Sequence, residues 1–441
     1  MLNRRSFLML PALAPLTNFN SALSTNRRHF HYDFVIGTSM DLVVWTDGKR
    51  DSDIFAQRVA ASVLREIERL TAILSTRQID SEIRQLERNP SRNISADLSA
   101  ILDLYRSWNS RTDGVISLQP DGPGTAWNVD ALGKAYIIDR AVSVAAKTFP
   151  GIGLLLNIGG DIAVRGRSHE IGVANPAWPH DNADPLTWIS LQDRAVATSG
   201  TYARGAHLID ARTGIANPNA ASATVIARDA VTANALATAL SVVSQEEGLR
   251  MVERVEDAEA IRIDRNGTEF RTSGFAKFER VRRIVQTAES NWPANYEVSI
   301  AITLTNPIPG GDFPYLGAWV ENTSGKLVRA IVLWGSKDKY KPELSSFWIA
   351  TGGKDSLIYK VTRVTKGPGS YKIAWNGLDD DGKAVPKGTY KITIETNQYH
   401  GTYAKQSGLI VCGDSPATIT LSGTTNFEPV SIKYGPKPTA A

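Results

Sequence analysis

The chain has 441 residues, 42% of them hydrophobic, which is enough length and apolar material for two domains with cores of their own. Lys and Arg number 49 against 45 Asp and Glu, a net charge of +4 spread along the chain with no basic run interleaved with aromatics, so no nucleic-acid partner is expected. The single cysteine, Cys412, rules out an intrachain disulfide, and no Cys/His cluster points to zinc.

At the start, Asn3-Arg4-Arg5-Ser6-Phe7-Leu8-Met9 precedes an apolar run to Leu16 and small residues around Ala22 and Ser24. This reads as a twin-arginine export signal over residues 1–24, and hence a periplasmic mature protein. The run is too short to span a membrane, and no cysteine follows it to carry a lipid.

Asp33 to Trp45 alternates as one strand. A helix capped at Asp51, Ser52 or Asp53 follows, with Phe55, Val59, Val63, Ile67, Leu70 and Leu74 at helical spacing. Its exit delivers Ser75, Thr76, Ser81 and Glu82, as a polar turn and a short second helix or as part of a ligand site. Ser95 caps a helix whose buried face is Leu98, Ile101, Leu102, Tyr105 and Trp108, and Thr112 to Val115 is a turn into a strand. Lys134 opens another helix, either as a solvated helix-start lysine or where positive charge and free backbone N–H groups suit a diphosphate. Leu154 to Ile158 is a buried strand ending in the turn Gly159-Gly160-Asp161; Gly151-Ile152-Gly153 lacks the third glycine of a dinucleotide fingerprint. Strands over His169–Ala174 and Thr187–Leu191 lead to Arg194–Gly214. That segment crowds together Thr198, Ser199, Gly200, Tyr202, His207, Asp210 and Arg212. The residues alone leave it open between a strand–turn–strand with ordinary turn chemistry and a ligand site in which His207 accepts a proton and Asp210 and Arg212 hold each other or a phosphate. After a strand over Ser222–Ala227, Asp229 caps a helix that sets Asn234 and Thr238 four apart on one face, and Ser244 with Glu247 forms a capping box for the next.

Helical patterns end near Ala288–Ala294, and short alternating runs around Tyr296, Leu316, Leu327, Tyr371 and Tyr390 predict a β-sandwich. Trp319, Trp334, Trp348 and Trp375 are either its core or an exposed docking patch. Gly377 to Ala384 almost spells a phosphate loop, but Ala384 replaces the hydroxyl residue and three acids fill it, so Asp379-Asp380-Asp381 reads as a hairpin turn.

Five ordered stretches over about residues 33–285 resemble the FAD:protein FMN transferase (ApbE-type) family: Ser75–Asn89, Asp130–Asp139, N-I-G-G-D-I at Asn157–Ile162, T-S-G-x-Y followed by H-x-I-D-x-R-T-G, and T-A-N-A-L-A-T-A at Thr232–Ala239. Gly369–Glu395 resembles the immunoglobulin-like repeat of flagellar-hook cap proteins. The resemblance implies an α+β flavin-transferase-like domain over residues 30–287, followed by an all-β immunoglobulin-like sandwich over 295–441. It implies transfer of FMN from FAD to a Thr or Ser hydroxyl of a flavoprotein acceptor in the periplasm or inner membrane, with release of AMP. On the matching positions, His207 is the catalytic base, and Ser81, Glu82, Lys134, Thr198, Ser199, Gly200, Tyr202, Asp210 and Arg212 bind the nucleotide. By the same resemblance, Gly133, Asn234 and Thr238 would hold magnesium. Family members usually have a glycine pair at Asp130-Ala131 and an aspartate at Asn234. Asparagine keeps an oxygen ligand but loses the charge, which leaves open an FAD-binding or FAD-hydrolysing protein that no longer transfers. A non-catalytic exported interaction protein built on the sandwich is the third expectation.

Overall fold

A computed structural model describes residues 27–47, 51–122, 124–177, 182–183, 185–200, 208–214, 219–280, 292–293, 295–305, 313–335, 338–398 and 401–437. The expected export signal therefore lies outside the described residues.

The N-terminal unit is built on a mixed-length antiparallel sheet of eight strands. Its strands are β1 (Arg27–Val35), β2 (Thr38–Trp45), β3 (Gly153–Ile158), β4 (Asp161–Arg165), β7 (Arg194–Gly200), β8 (Ala220–Ala227), β9 (Glu259–Asp264) and β10 (Glu269–Arg271), side by side in that order. A small sheet of β5 (His169–Val173), β6 (Thr187–Leu191) and β11 (Glu279–Arg280) lies over one face, with Leu155, Val164, Ile189, Val196, Ile226 and Phe275 between the two. Helices cover the other face: α1 (Ser52–Leu74), α2 (Glu82–Arg88), α3 (Ala96–Arg111), α4 (Asp130–Thr148), α5 (Ala230–Val242) and α6 (Gln245–Glu253). Alternation decides which side faces them: Met40, Leu42 and Val44 of β2 are fully buried, together with Val59, Val63 and Leu70 of α1.

The single strand expected over Asp33–Trp45 is the hairpin β1–β2. Ile36 (φ 46°) and Gly37 (φ 78°) are both left-handed, the two-residue turn whose twist matches antiparallel strands, and an isoleucine at its first position hid it. Thr112–Val115 turns as expected, but no strand follows; Val115 and Ile116 are instead buried in the helical layer. Ser244 caps α6 through Glu247 N at 3.3 Å, whereas the Glu247 carboxylate bonds Arg212 at 2.7 Å.

The C-terminal unit is a sandwich. One sheet has the order β16 (Gly369–Trp375), β12 (Tyr296–Leu304), β20 (Val430–Pro436), β19 (Ala417–Leu421). The other runs β15 (Thr362–Arg363), β14 (Leu327–Trp334), β13 (Tyr315–Asn322), β17 (Gly388–Asn397), β18 (Tyr403–Cys412). Trp334 and Trp375 are core, and Trp319 is buried in a satellite cluster against two short helices, α7 (Ser345–Ala350) and α8 (Asp355–Val361). These helices depart from the expected all-strand pattern; one-turn-plus segments are too short to show periodicity. Trp348 is half-buried against the same cluster. The Asp379 turn closes with Asp379 N donating to Lys383 O at 2.8 Å. Trp292, from the linker, enters the sandwich with its ring 4.9 Å from Trp375 and 5.0 Å from Tyr434.

The units touch where Asn182, in the β5–β6 connection, meets the edge strand β16. Its amide donates to Ala374 O at 2.5 Å and accepts from Ala374 N at 2.9 Å, filling both pairing positions of one residue.

Candidate functional site

A cavity of about 560 Å³ opens where the ends of β4 and β7 meet α4 and α5, roofed by β5 and β6 through Ile171, Gly172, Val173 and Ile189. Its volume suits a cofactor-sized ligand. Local sequence builds its floor. The β3–β4 turn is Gly159 (φ 58°) and Gly160 (φ 95°), and Asn157 Oδ1 accepts from Gly160 N at 3.0 Å. A side chain at Gly159 would sit 2.8 Å from Thr38, so the turn needs glycine twice over.

This turn delivers Asp161, 2% exposed, to the bottom of the cavity. Lys134 Nζ lies 2.9 Å from Asp161 Oδ2, and Asn234 Nδ2 donates to the same oxygen at 2.9 Å. The carboxylate can only accept, so the amide must turn its NH₂ to it. Asn234 Oδ1 is consequently buried without a hydrogen-bond partner. Asp161, Asn234 and Lys134 form one polar cluster from three elements.

A row of hydroxyls continues from it. Thr198 and Thr224 pair across β7 and β8 at 2.9 Å, and Ser199 Oγ lies 3.5 Å from Thr238 Oγ1, one turn of α5 beyond Asn234. A Cβ at Gly200 would fall 2.2 Å from Ala221 O, so only glycine allows this strand crossing. Asp139 of α4 accepts from Ala230 N at 2.8 Å and Val231 N at 3.0 Å, anchoring the start of α5. Burial pushes its carboxyl up to about 7, against those two bonds.

The cavity brings together Lys134, Thr198, Ser199, Gly200, Asn234 and Thr238 of the expected residues. Ser81 and Glu82 are not among its lining. Ser81 caps α2, accepting from Arg84 N at 3.4 Å, and Glu82 accepts from Ser95 N at 2.5 Å. Gly133 is buried in the first turns of α4, also off the lining. Asp210 and Arg212 pair with each other at 2.6 Å. Burial pushes the Asp210 carboxyl up, and the bonded Arg212 guanidinium more than reverses this, holding it below the usual range. Tyr202 and His207 lie outside the described residues. Sequence reasoning passed over Arg77 and Asp161, though both sit inside the quoted blocks; their type and spacing did not set them apart from helix-flanking or turn residues. Asp130, which stands where the family usually has a glycine, lines the cavity and accepts from Thr76 Oγ1 at 3.1 Å.

Oxygen donors dominate the floor. Among the described residues no group of three or more His, Cys, Asp and Glu side chains is placed to hold a metal ion. The orphaned Asn234 Oδ1 beside the Thr238 hydroxyl does fit a hard, oxygen-seeking cation.

Residues 115–262 match the model of the ApbE family, and residues 295–428 match a family described as a predicted periplasmic protein (DUF2271). Among solved structures, the ApbE protein of Thermotoga maritima is 21% identical with a TM-score of 0.50, covering 57% of this chain and 100% of its own. The flavin transferase ApbE from Vibrio cholerae is 20% identical (TM-score 0.48; 57% of this chain, 99% of its own). The flavinyl transferase ApbE of Pseudomonas stutzeri, apo form, is 18% identical (TM-score 0.48; 57% and 96%). No curated protein matches the chain. The N-terminal unit thus has an ApbE-like α+β fold, and it is followed by a β-sandwich that carries two short helices.

Proposed function

We propose that the chain is a periplasmic flavin transferase, which moves FMN from FAD to a Thr or Ser hydroxyl of an exported or membrane flavoprotein and releases AMP. The observation that carries this reading is the cluster of Lys134, Asp161 and Asn234 beneath a hydroxyl-lined cavity of about 560 Å³, in the segment that matches the ApbE family. Lys134 and the backbone from Thr198 to Gly200 hold the diphosphate oxygens. His207 takes the proton of the acceptor hydroxyl, whose oxygen bonds to the phosphorus of the FMN half as the bridging P–O bond to AMP breaks. Tyr202, Ser81 and Glu82 serve the nucleotide, the last two through the α2 segment, which Ser81 caps and Glu82 ties to the start of α3 at Ser95 N. Asp210 and Arg212 brace the segment that follows His207. Magnesium would be held by Asn234 Oδ1, the Thr238 hydroxyl and the Gly133 carbonyl, and would neutralise diphosphate charge. Asp161 and Asp130 supply the negative charge that Asn234 lacks. Export by the twin-arginine route suits a protein that folds before it crosses.

One observation favours a second reading. The Asn234 amide occupies Asp161, so the floor has one buried carboxylate fewer than an aspartate would give, as suits an FAD binder or hydrolase. Incubation with FAD, Mg²⁺ and a hydroxyl-bearing acceptor separates the two. Transfer yields AMP and protein-bound FMN in equal amounts; AMP with free FMN alone defeats the transferase reading.

A further inference from the structure

Among the described residues, four charged side chains line the cavity over the β3–β4 turn: Arg77, Asp130, Lys134 and Asp161. Lys134 and Asp161 answer each other, with Nζ 2.9 Å from Oδ2. Asp130 accepts from the Thr76 hydroxyl at 3.1 Å. Arg77 differs from all three. Among the described residues its guanidinium makes no ion pair and no hydrogen bond, and only its backbone N–H is bonded, to Ser75 Oγ at 3.3 Å. An exposed arginine on an ordinary loop needs no partner but water. This one is exposed, yet it stands in a segment pinned to three elements. Arg84 Nε donates to Thr76 O at 2.8 Å, which ties the segment to α2. The Thr76 hydroxyl ties it to Asp130, the first residue of α4 and one helical turn before Lys134. Glu87 of α2 fixes the approach to that helix, accepting from Trp127 N at 2.6 Å. The guanidinium itself rests on the β1–β2 turn, where a Cβ at Gly37 would fall 2.7 Å from Arg77 Nη1. The next residue, Thr38, stands against Gly159, so this turn also borders the loop that delivers Asp161 to the floor.

We propose that Arg77 is a ligand-binding residue of this cavity, gripping the diphosphate of a flavin dinucleotide from the mouth while Lys134 holds it from the floor. The proposal rests on the flavin reading above and adds to it the residue that favours a phosphate-bearing ligand over a neutral one. Lys134 shares its charge with Asp161, so Arg77 is the lining cation left whole for the ligand. Its planar fork of N–H donors matches phosphate oxygens two at a time, as a lysine ammonium does not. The pinned segment preorganises it: the backbone that carries Arg77 is ordered before a ligand arrives, so less freedom is lost on binding.

The test titrates FAD by calorimetry into the full chain as wild type, Arg77→Met and Arg77→Lys, each at about 0.1 M and about 1 M salt, between which the screening length falls from about 10 Å to about 3 Å. Arg77→Met should bind FAD about tenfold more weakly at the lower salt, the scale of one charge-assisted bond, and the gap to wild type should shrink at the higher. Arg77→Lys, which keeps the charge and loses the fork, should recover part of the affinity. Because the side chain is exposed, all three proteins should unfold at the same temperature. Equal FAD affinity in wild type and Arg77→Met, with Lys134→Met weakened, overturns this proposal and leaves the flavin reading standing. A loss that is the same at both salt concentrations and is not recovered by lysine marks lost packing rather than a phosphate contact, and overturns it too. Failure of the wild type to bind FAD overturns both.

Discussion

Replacing Asn234 by aspartate tests the floor of the cavity directly. In the wild type the amide donates to Asp161 Oδ2 at 2.9 Å, a bond to a charged group worth about 1.5–3 kcal/mol. Asn234→Asp exchanges that donor for a second carboxyl, roughly as close. Two carboxylates at such a distance repel by several kcal/mol at a protein-like dielectric, and the pair escapes most of this by sharing a proton. The net cost without metal should therefore be on the order of 3 kcal/mol, or an unfolding temperature lower by about 6–12 °C for a domain of this size. A divalent cation reverses the sign, because it replaces the shared proton. Mg²⁺ should raise the unfolding temperature of Asn234→Asp clearly more than that of wild type, and bind it about ten- to a hundredfold tighter by calorimetry. Equal stability of the two proteins without metal, together with equal Mg²⁺ affinity, would refute both the Asp161–Asn234 contact and its place beside a cation.

Other outcomes follow from the same geometry. Asp139, raised to about 7 in the folded chain against an ordinary value near 4, binds a proton more tightly when folded; its contribution is full below about pH 4 and is lost as pH rises through about 7. Asp139→Asn should flatten that part of the stability–pH curve, by at most about 4 kcal/mol, in denaturant titrations between pH 4 and 8. His207→Ala should lower FMN transfer by about 10²- to 10⁴-fold while leaving FAD affinity within a few-fold, read by AMP release and FAD titration. Asn182→Ala removes both bonds to Ala374 at the domain contact and should cost about 1–3 kcal/mol, with faster proteolysis between the two units and secondary structure unchanged by circular dichroism.

The parts of the fold with long or alternating patterns could be read from the chain. The helix from Ser52 to Leu74 carries its apolar stripe for six turns, and the caps Ser95, Asp229 and Ser244 each accept the expected backbone N–H. The elements that escaped were short or unusual: the Ile36-Gly37 turn, in which a β-branched residue takes a left-handed φ, and the two short helices laid over Trp319. The site was legible as blocks rather than as atoms. Lys134 and Asn234 converge across about a hundred residues of sequence, and no local signal says that Asp161 is the carboxylate they meet. Ser81 and Glu82 lie in the right block but spend their polar atoms on helix starts, a use of Ser and Glu that sequence cannot distinguish from ligand binding.

Calorimetric titration of FAD into the full chain with Mg²⁺ present, run in parallel on Lys134→Met, tests most directly that the cavity over Asp161 is a flavin-nucleotide site. The account predicts one FAD per chain, bound at least tenfold more weakly once the lysine that reaches the cavity floor is gone. No FAD binding by the wild type, or equal affinity in the two proteins, would contradict it.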